Sequence, residues 1–132
     1  MIYIDVTVFV YWLTGGPDFG EMATRIIKNI ELGEKAFTSA LTLWQLHILL
    51  KKESQNYSEK ILIEKIGKLK NLTIVPLSLE VFEEAVVYQK EAGLDLEDSI
   101  HYAVACRVGA AIMYSNDTDF DNVPIERKFH RF

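Results

Sequence analysis

The sequence predicts an α/β fold, a three-layer α/β/α sandwich around a central, mainly parallel sheet. Two observations carry this. The segments "IYIDV", "AFTSA", "LTIVPL" and "AAIMYS" are short, apolar on both alternating faces and bounded by turn residues, the pattern of strands covered on both sides. Between them run stretches whose apolar residues recur at helical spacing. Helices joining successive strands leave those strands parallel and cover both faces of the sheet.

Taken in chain order, "IYIDV" is the first strand, and "TGGPDFG" (Thr14 to Gly20) is a turn. Met22, Ala23, Ile26, Ile27 and Ile30 then mark a helix, with Gly33 where a C-terminal cap would stand. After "AFTSA", Ile61, Leu62, Ile66 and Leu69 mark a helix started by Ser58. A turn around Asn71 leads to "LTIVPL", and Leu79, Phe82, Ala85 and Val86 form a helix from Ser78 to Gly93. In "LDLEDSIHYAVACRVG", Leu96, Ile100, Ala103 and Val104 share one face and Asp95 stands at the N-cap, so Asp98 falls in the first turn. A turn around Gly109 precedes "AAIMYS", and "IERKFHRF" is read as an edge strand.

Composition bounds the function. With 132 residues, 49% hydrophobic and 25% charged, the chain reads as one globular domain over residues 1–132. The opening "MIYIDVTVFVYWLTGG" has no basic leader and is interrupted by Asp5, which fits neither a signal peptide nor a membrane span, so a cytoplasmic protein is expected. The single cysteine, Cys106, permits no internal disulfide and reads as a small core residue. His47, His101 and His130 are far apart without ligand spacing, so each reads as a surface or packing residue and no zinc cluster is expected. A net charge of −5 argues against holding nucleic acid purely by a basic face. It leaves a metal-dependent nuclease open, since bound cations reverse the local sign of an acidic site.

The acids point to such a site. Ligands of parallel sheets gather beyond the carboxyl ends of the strands. Asp5 ends the first strand, Asp117 and Asp119 follow "AAIMYS", and the helix start carrying Asp98 faces the same rim. Singly, Asp98 could serve the helix dipole, and Asn116, Asp117 and Asp119 could be turn residues, as Asp121 is read to be. Asp5 is harder to dismiss, because a carboxylate inside "MIYIDVTVFVYWL" has no basic neighbour in sequence and is costly to bury unpaired. Four carboxylates on one rim repel one another unless a cation binds, and all-oxygen ligands suit Mg²⁺ or Mn²⁺ rather than zinc.

Four stretches in this order, "IYIDVTVFV", "TSALTLWQL", "LEDSIHYAVA" and "YSNDTDF", resemble the motifs of the PIN domain, and specifically the VapC-type toxins, small metal-dependent ribonucleases of toxin–antitoxin pairs. Each piece alone is common, but the four together span the whole chain. The resemblance implies a PIN-like fold and assigns Asp5, Asp98 and Asp117 to an acidic metal site for Mg²⁺ or Mn²⁺, with Asp119 as a further carboxylate. It gives Thr7 and Ser115 the task of orienting these acids by hydrogen bonds. It also implies an RNA substrate, a cognate antitoxin partner and a homodimer.

Two positions depart from the family pattern. Asp5-Val6-Thr7 stands where a small hydroxylated residue followed by Asn or Ser is usual, so Thr7 keeps a hydroxyl in an altered network. Gln45 occupies the place of a metal-site glutamate. Its amide oxygen can still coordinate a hard cation, but one negative charge is missing. Gln45 also fits a capping box begun by Thr42, where Gln serves as well as Glu.

The resemblance implies an endoribonuclease whose catalytic residues are Asp5, Gln45, Asp98 and Asp117, with Lys51, Lys52, Arg107, Arg127 and Lys128 available to flank RNA. The alternative is a catalytically deficient module that binds RNA or antitoxin. A haloacid-dehalogenase-like phosphatase would need a second acid two residues after Asp5, where Thr7 stands. Val8, Phe9, Val10, Tyr11 and Trp12, with Trp44, Leu46, Leu49 and Leu50, form two apolar patches that pack on the sheet or serve a partner.

Overall fold

The computed structural model describes residues 1–53 and 55–129. Its elements in chain order are β1 (Ile2–Ile4), α1 (Val6–Thr14), α2 (Gly20–Glu31), β2 (Ala36–Ser39), α3 (Ala40–Glu53), α4 (Glu59–Lys65), β3 (Leu72–Val75), α5 (Leu79–Ala92), α6 (Leu96–Arg107), β4 (Ile112–Tyr114), a 3₁₀ turn (Thr118–Asn122) and β5 (Glu126–Lys128). The five strands are ordered β3-β2-β1-β4-β5, and every pairing is parallel. The expected edge strand is β5, which lies beside β4 with Met113 opposite Arg127.

Strand alternation divides the core into two layers. Ile2 and Ile4 of β1 point to one face and pack with Val8 and Phe9 of α1, Ile26, Ile27 and Ile30 of α2, Leu46 of α3 and Leu62 of α4. Tyr3 points to the other face, where α5 gives Val81 and Ala85, α6 gives Ile100, Ala103 and Val104, and Met113 and Phe120 close the cluster. All three β1 residues are buried, as expected for a central strand. The sandwich is therefore an outcome of period two in the strands meeting period 3.6 in the helices.

Helix ends set up the functional rim. At α6, the Asp95 side chain accepts the Asp98 backbone N–H at 2.8 Å, which anchors the first turn and leaves the Asp98 carboxyl free. At α1, Asp5 occupies the N-cap position yet makes no side-chain cap bond, so its carboxylate is available elsewhere. Ser78 caps α5 through the Val81 N–H, and Gly93 ends that helix at φ 70°, the left-handed conformation that glycine adopts without steric cost.

Several local expectations are corrected. Thr42 does not cap α3: the helix already begins at Ala40, and the buried Thr42 hydroxyl bonds Thr38 at 2.7 Å. The Gln45 side chain is consequently released from any capping box. Cys106, in the last turn of α6, is exposed rather than a core residue. Leu69 lies beyond α4, and Gly33 sits one residue past the α2 cap at Leu32. His130 lies outside the described residues.

Because Asp95 fixes the α6 start by one side-chain bond, Asp95→Ala is expected to lower unfolding stability by about 1 kcal/mol. Asp95→Ser should retain most of it. Urea denaturation of the two variants checks this, and equal losses for both would contradict the capping role.

Candidate metal centre

Parallel strand direction brings the ends of β1 and β4 to the same rim, and the α6 N-terminus joins them. There Asp98, Asp117 and Asp119 each present a carboxylate oxygen, and the three oxygens lie within 4.8 Å of one another. Asp5 stands beside this group and is 3% exposed. It lies outside the three-residue cluster, held in place by hydroxyls. The Ser115 hydroxyl donates to Asp5 Oδ2 at 2.7 Å and accepts the Asp117 backbone N–H at 3.0 Å. One oxygen thereby ties the acid after β1 to the acid after β4. Asp117 in turn accepts the Asp119 N–H at 2.9 Å, an arrangement that shapes the 3₁₀ turn.

The hydroxyl expected of Thr7 also serves this rim, though more weakly toward the acid. It lies 3.5 Å from Asp5 Oδ2 and accepts the Asn116 backbone N–H at 3.1 Å. Asn116 further donates its side-chain amide to the Tyr11 hydroxyl at 3.2 Å. The loop that carries Asp117 is thus pinned to α1 at two points.

Gln45 is drawn into the same region from α3. Its Oε1 lies 2.8 Å from His101 Nε2, and its Nε2 donates to Glu97 Oε2 at 3.0 Å. His101 is not a simple packing residue. It is 1% exposed, and its Nε2 lies 3.4 Å from Asp5 Oδ1 while its Nδ1 lies 2.6 Å from the Tyr3 hydroxyl. The missing basic neighbour of Asp5 is therefore an imidazole distant in sequence. The spacing of Asp98 and His101, three residues apart on one helix, was the available signal for it. Glu97 and Tyr3 carried no comparable signal.

Electrostatics separate these groups. Burial, followed by the charges of Asp117, Asp95, Asp5 and Asp119, raises the Asp98 carboxyl to about 8. Burial lowers the His101 imidazole and outweighs the opposing charges of Asp5, Glu97 and Asp95. The 3.4 Å approach to Asp5 is therefore the contact of a neutral ring. Burial, then the Asp5 charge, raises the Tyr3 hydroxyl well above its ordinary range, which keeps it a proton donor. A hard, oxygen-only donor set whose crowding raises the Asp98 carboxyl fits a divalent cation of the Mg²⁺ or Mn²⁺ type.

The family model described as PIN domain matches residues 2–126. The chain belongs to the PIN-domain family. Solved structures share the PIN fold at low identity. Mycobacterium tuberculosis VapC20, described as a sarcin-ricin loop cleaving toxin, is 16% identical with a TM-score of 0.78, covering 99% of this chain and 99% of that one. A VapBC2 complex from Rickettsia felis, bound to a DNA fragment from its promoter, is 15% identical with a TM-score of 0.74 over 97% and 98% of the two chains. A toxin–antitoxin complex from Klebsiella pneumoniae is 20% identical with a TM-score of 0.72, covering 94% and 93%. No curated protein matches the sequence.

On the PIN scaffold the basic residues divide. Arg127 is committed to the fold: it bonds Asp121 at 2.8 and 3.2 Å and donates to the Ser115 carbonyl at 3.0 Å. Asp121, read from sequence as a solvated turn residue, is its partner. Arg107 is paired with Glu84 of α5 at 3.0 Å, and Lys128 approaches Glu126 at 3.7 Å. Lys51 and Lys52 are exposed at the end of α3.

The acidic cluster has a consequence for stability. Folding raises the Asp98 carboxyl from an ordinary 3.8 to about 8. Its contribution is thus fully present below about pH 4 and is lost as pH rises toward 8, where the folded state must ionise beside like charges. In chelator, Asp98→Asn is expected to raise the melting temperature at pH 8 and to change it little at pH 4. Thermal denaturation at the two pH values checks this, and a pH-independent shift would refute the electrostatic origin.

Proposed function

We propose that residues 1–132 act as one PIN-domain unit that is a Mg²⁺- or Mn²⁺-dependent endoribonuclease of the VapC toxin type. PIN-domain proteins are nucleases in general and use divalent metal, and the clustering of Asp98, Asp117 and Asp119 beside Asp5 is the observation that supports the reading here. In this reading Asp5, Asp98, Asp117 and Asp119 hold the cation, and Asp5, Gln45, Asp98 and Asp117 face the scissile phosphodiester. When bound, the cation supplies Lewis-acid polarisation of a phosphoryl oxygen and neutralises developing charge. The chain's own residues orient and restrain. Ser115 ties the Asp5 carboxylate to the Asp117 main-chain N–H, and His101 contacts Asp5 as a neutral imidazole.

A cognate antitoxin and a homodimer belong to the same proposal. Relatives of this fold occur as toxin–antitoxin complexes. Trp44, Ile48 and Leu49 are 61%, 39% and 39% exposed on α3, and they line a cleft of about 240 Å³ that reaches Gln45 and Glu97. An apolar antitoxin helix fits such a surface beside an acidic site. Val8, Phe9, Leu46 and Leu50, by contrast, are core residues. Among the described residues, no helix is long and apolar enough to cross a membrane, and the proposed setting is the cytoplasm.

Gln45 favours a second reading, a PIN-like module that binds RNA or antitoxin without useful cleavage because one negative charge is absent. Metal-titrated cleavage of defined RNAs separates the two. The nuclease reading expects cleavage that needs Mg²⁺ or Mn²⁺, stops in chelator and falls about 100-fold in Asp5→Asn. Cleavage indifferent to both chelator and Asp5→Asn would sink it, whereas RNA binding with no cleavage at any cation concentration would favour the second reading.

A further inference from the structure

The donor and acceptor roles around Gln45 can be assigned from geometry. The Ser39 backbone N–H donates to the Tyr3 hydroxyl oxygen at 3.1 Å, so that hydroxyl is free to give its own proton to His101 Nδ1 at 2.6 Å. A neutral imidazole that accepts at Nδ1 carries its proton on Nε2. Nε2 then donates to Gln45 Oε1 at 2.8 Å, with Asp5 Oδ1 at 3.4 Å sharing the same face. The remaining end of the amide, Nε2 of Gln45, donates to Glu97 Oε2 at 3.0 Å. Every bond in the series Ser39, Tyr3, His101, Gln45 and Glu97 runs in one direction and ends on a carboxylate.

An amide satisfies the fourth place in this series, and a carboxylate does not. A carboxylate at position 45 could accept from His101, but it has no proton to give Glu97. It would set two negative charges one hydrogen bond apart. Glu97 therefore accounts for the glutamine. It precedes Asp98 in the first turn of α6, and its carboxylate oxygen lies one hydrogen bond, 3.0 Å, from the side chain at position 45.

We propose that Glu97 carries the negative charge that the PIN pattern places at position 45, with the Gln45 amide as the coupler that holds Glu97 and His101 in one array behind Asp5. This rests on the nuclease reading above. Glu97 is a positioning residue: it lies outside the carboxylate cluster of Asp98, Asp117 and Asp119, and it acts by its field and by fixing the amide. The two residues are a relocated pair, and Gln45 is not a lesion in the site.

The test is a charge swap in the full chain, using Gln45→Glu, Glu97→Gln and the double variant Gln45→Glu/Glu97→Gln. In the double variant the amide at 97 donates to the carboxylate at 45, which still accepts from His101, so both charge and hydrogen bonding are restored. Mn²⁺ binding is measured by calorimetry, beside cleavage of defined RNAs, with thermal melting to establish that each variant is folded. Glu97→Gln is expected to weaken Mn²⁺ binding about 10-fold or more, and the double variant to return to within about threefold of the wild type. An unchanged Mn²⁺ affinity in Glu97→Gln would overturn the proposal and leave the nuclease reading standing. So would a double variant no better than Glu97→Gln. Wild-type protein that neither binds Mn²⁺ nor cleaves RNA would overturn the nuclease reading itself, and this proposal with it.

Discussion

Like-charge crowding at the carboxyl end of a parallel sheet is the constraint on which the rest of the structure depends. Asp5, Asp98, Asp117 and Asp119 come from three separated stretches of chain, and each would sit more comfortably in water. They are held together because rigid elements deliver them. β1 and β4 run side by side in parallel, and the capped start of α6 aims at their ends. Burial first, and then the charges of the neighbouring carboxylates, push the Asp98 carboxyl up to about 8. A fold that stores this repulsion has a site ready for a divalent cation, since the cation removes the cost that folding leaves in place.

Around that cluster the polar side chains are arranged with little redundancy. Ser115 uses its hydroxyl both as donor and as acceptor, bridging Asp5 and Asp117. Arg127 secures the Ser115 carbonyl and the end of the 3₁₀ turn through Asp121. Among the described residues, no buried side-chain nitrogen or oxygen lacks a hydrogen-bond partner. In a low-dielectric interior such satisfaction is what allows Asp5, His101 and Tyr3 to be buried together at all.

The fold was highly legible from sequence because its signal is local. The strands stood out as short apolar runs, and the positions of Ser78, Gly93 and Asp95 marked helix ends that the structure keeps. The carboxylates of the rim were legible for a related reason, since strand direction alone sends Asp5, Asp117 and Asp119 to one edge. Errors arose where a side chain had two local options. Thr42 could have capped a helix, but α3 starts two residues earlier and takes it inside. Cys106 fitted an apolar stripe, but helix α6 ends at Arg107, where that stripe meets solvent.

Sequence by itself determined the layered architecture, the order of the elements and the rim on which the acids meet, because these follow from hydrophobic period and chain direction. Tertiary structure alone decided which partners the acids have. His101 reaches Asp5 across 96 positions of sequence by the packing of α6 against the sheet, and Gln45 meets Glu97 only because α3 and α6 approach at that end. Hydrogen bonds act over about 3 Å, and no periodicity in a single chain specifies which distant side chains will come within that distance.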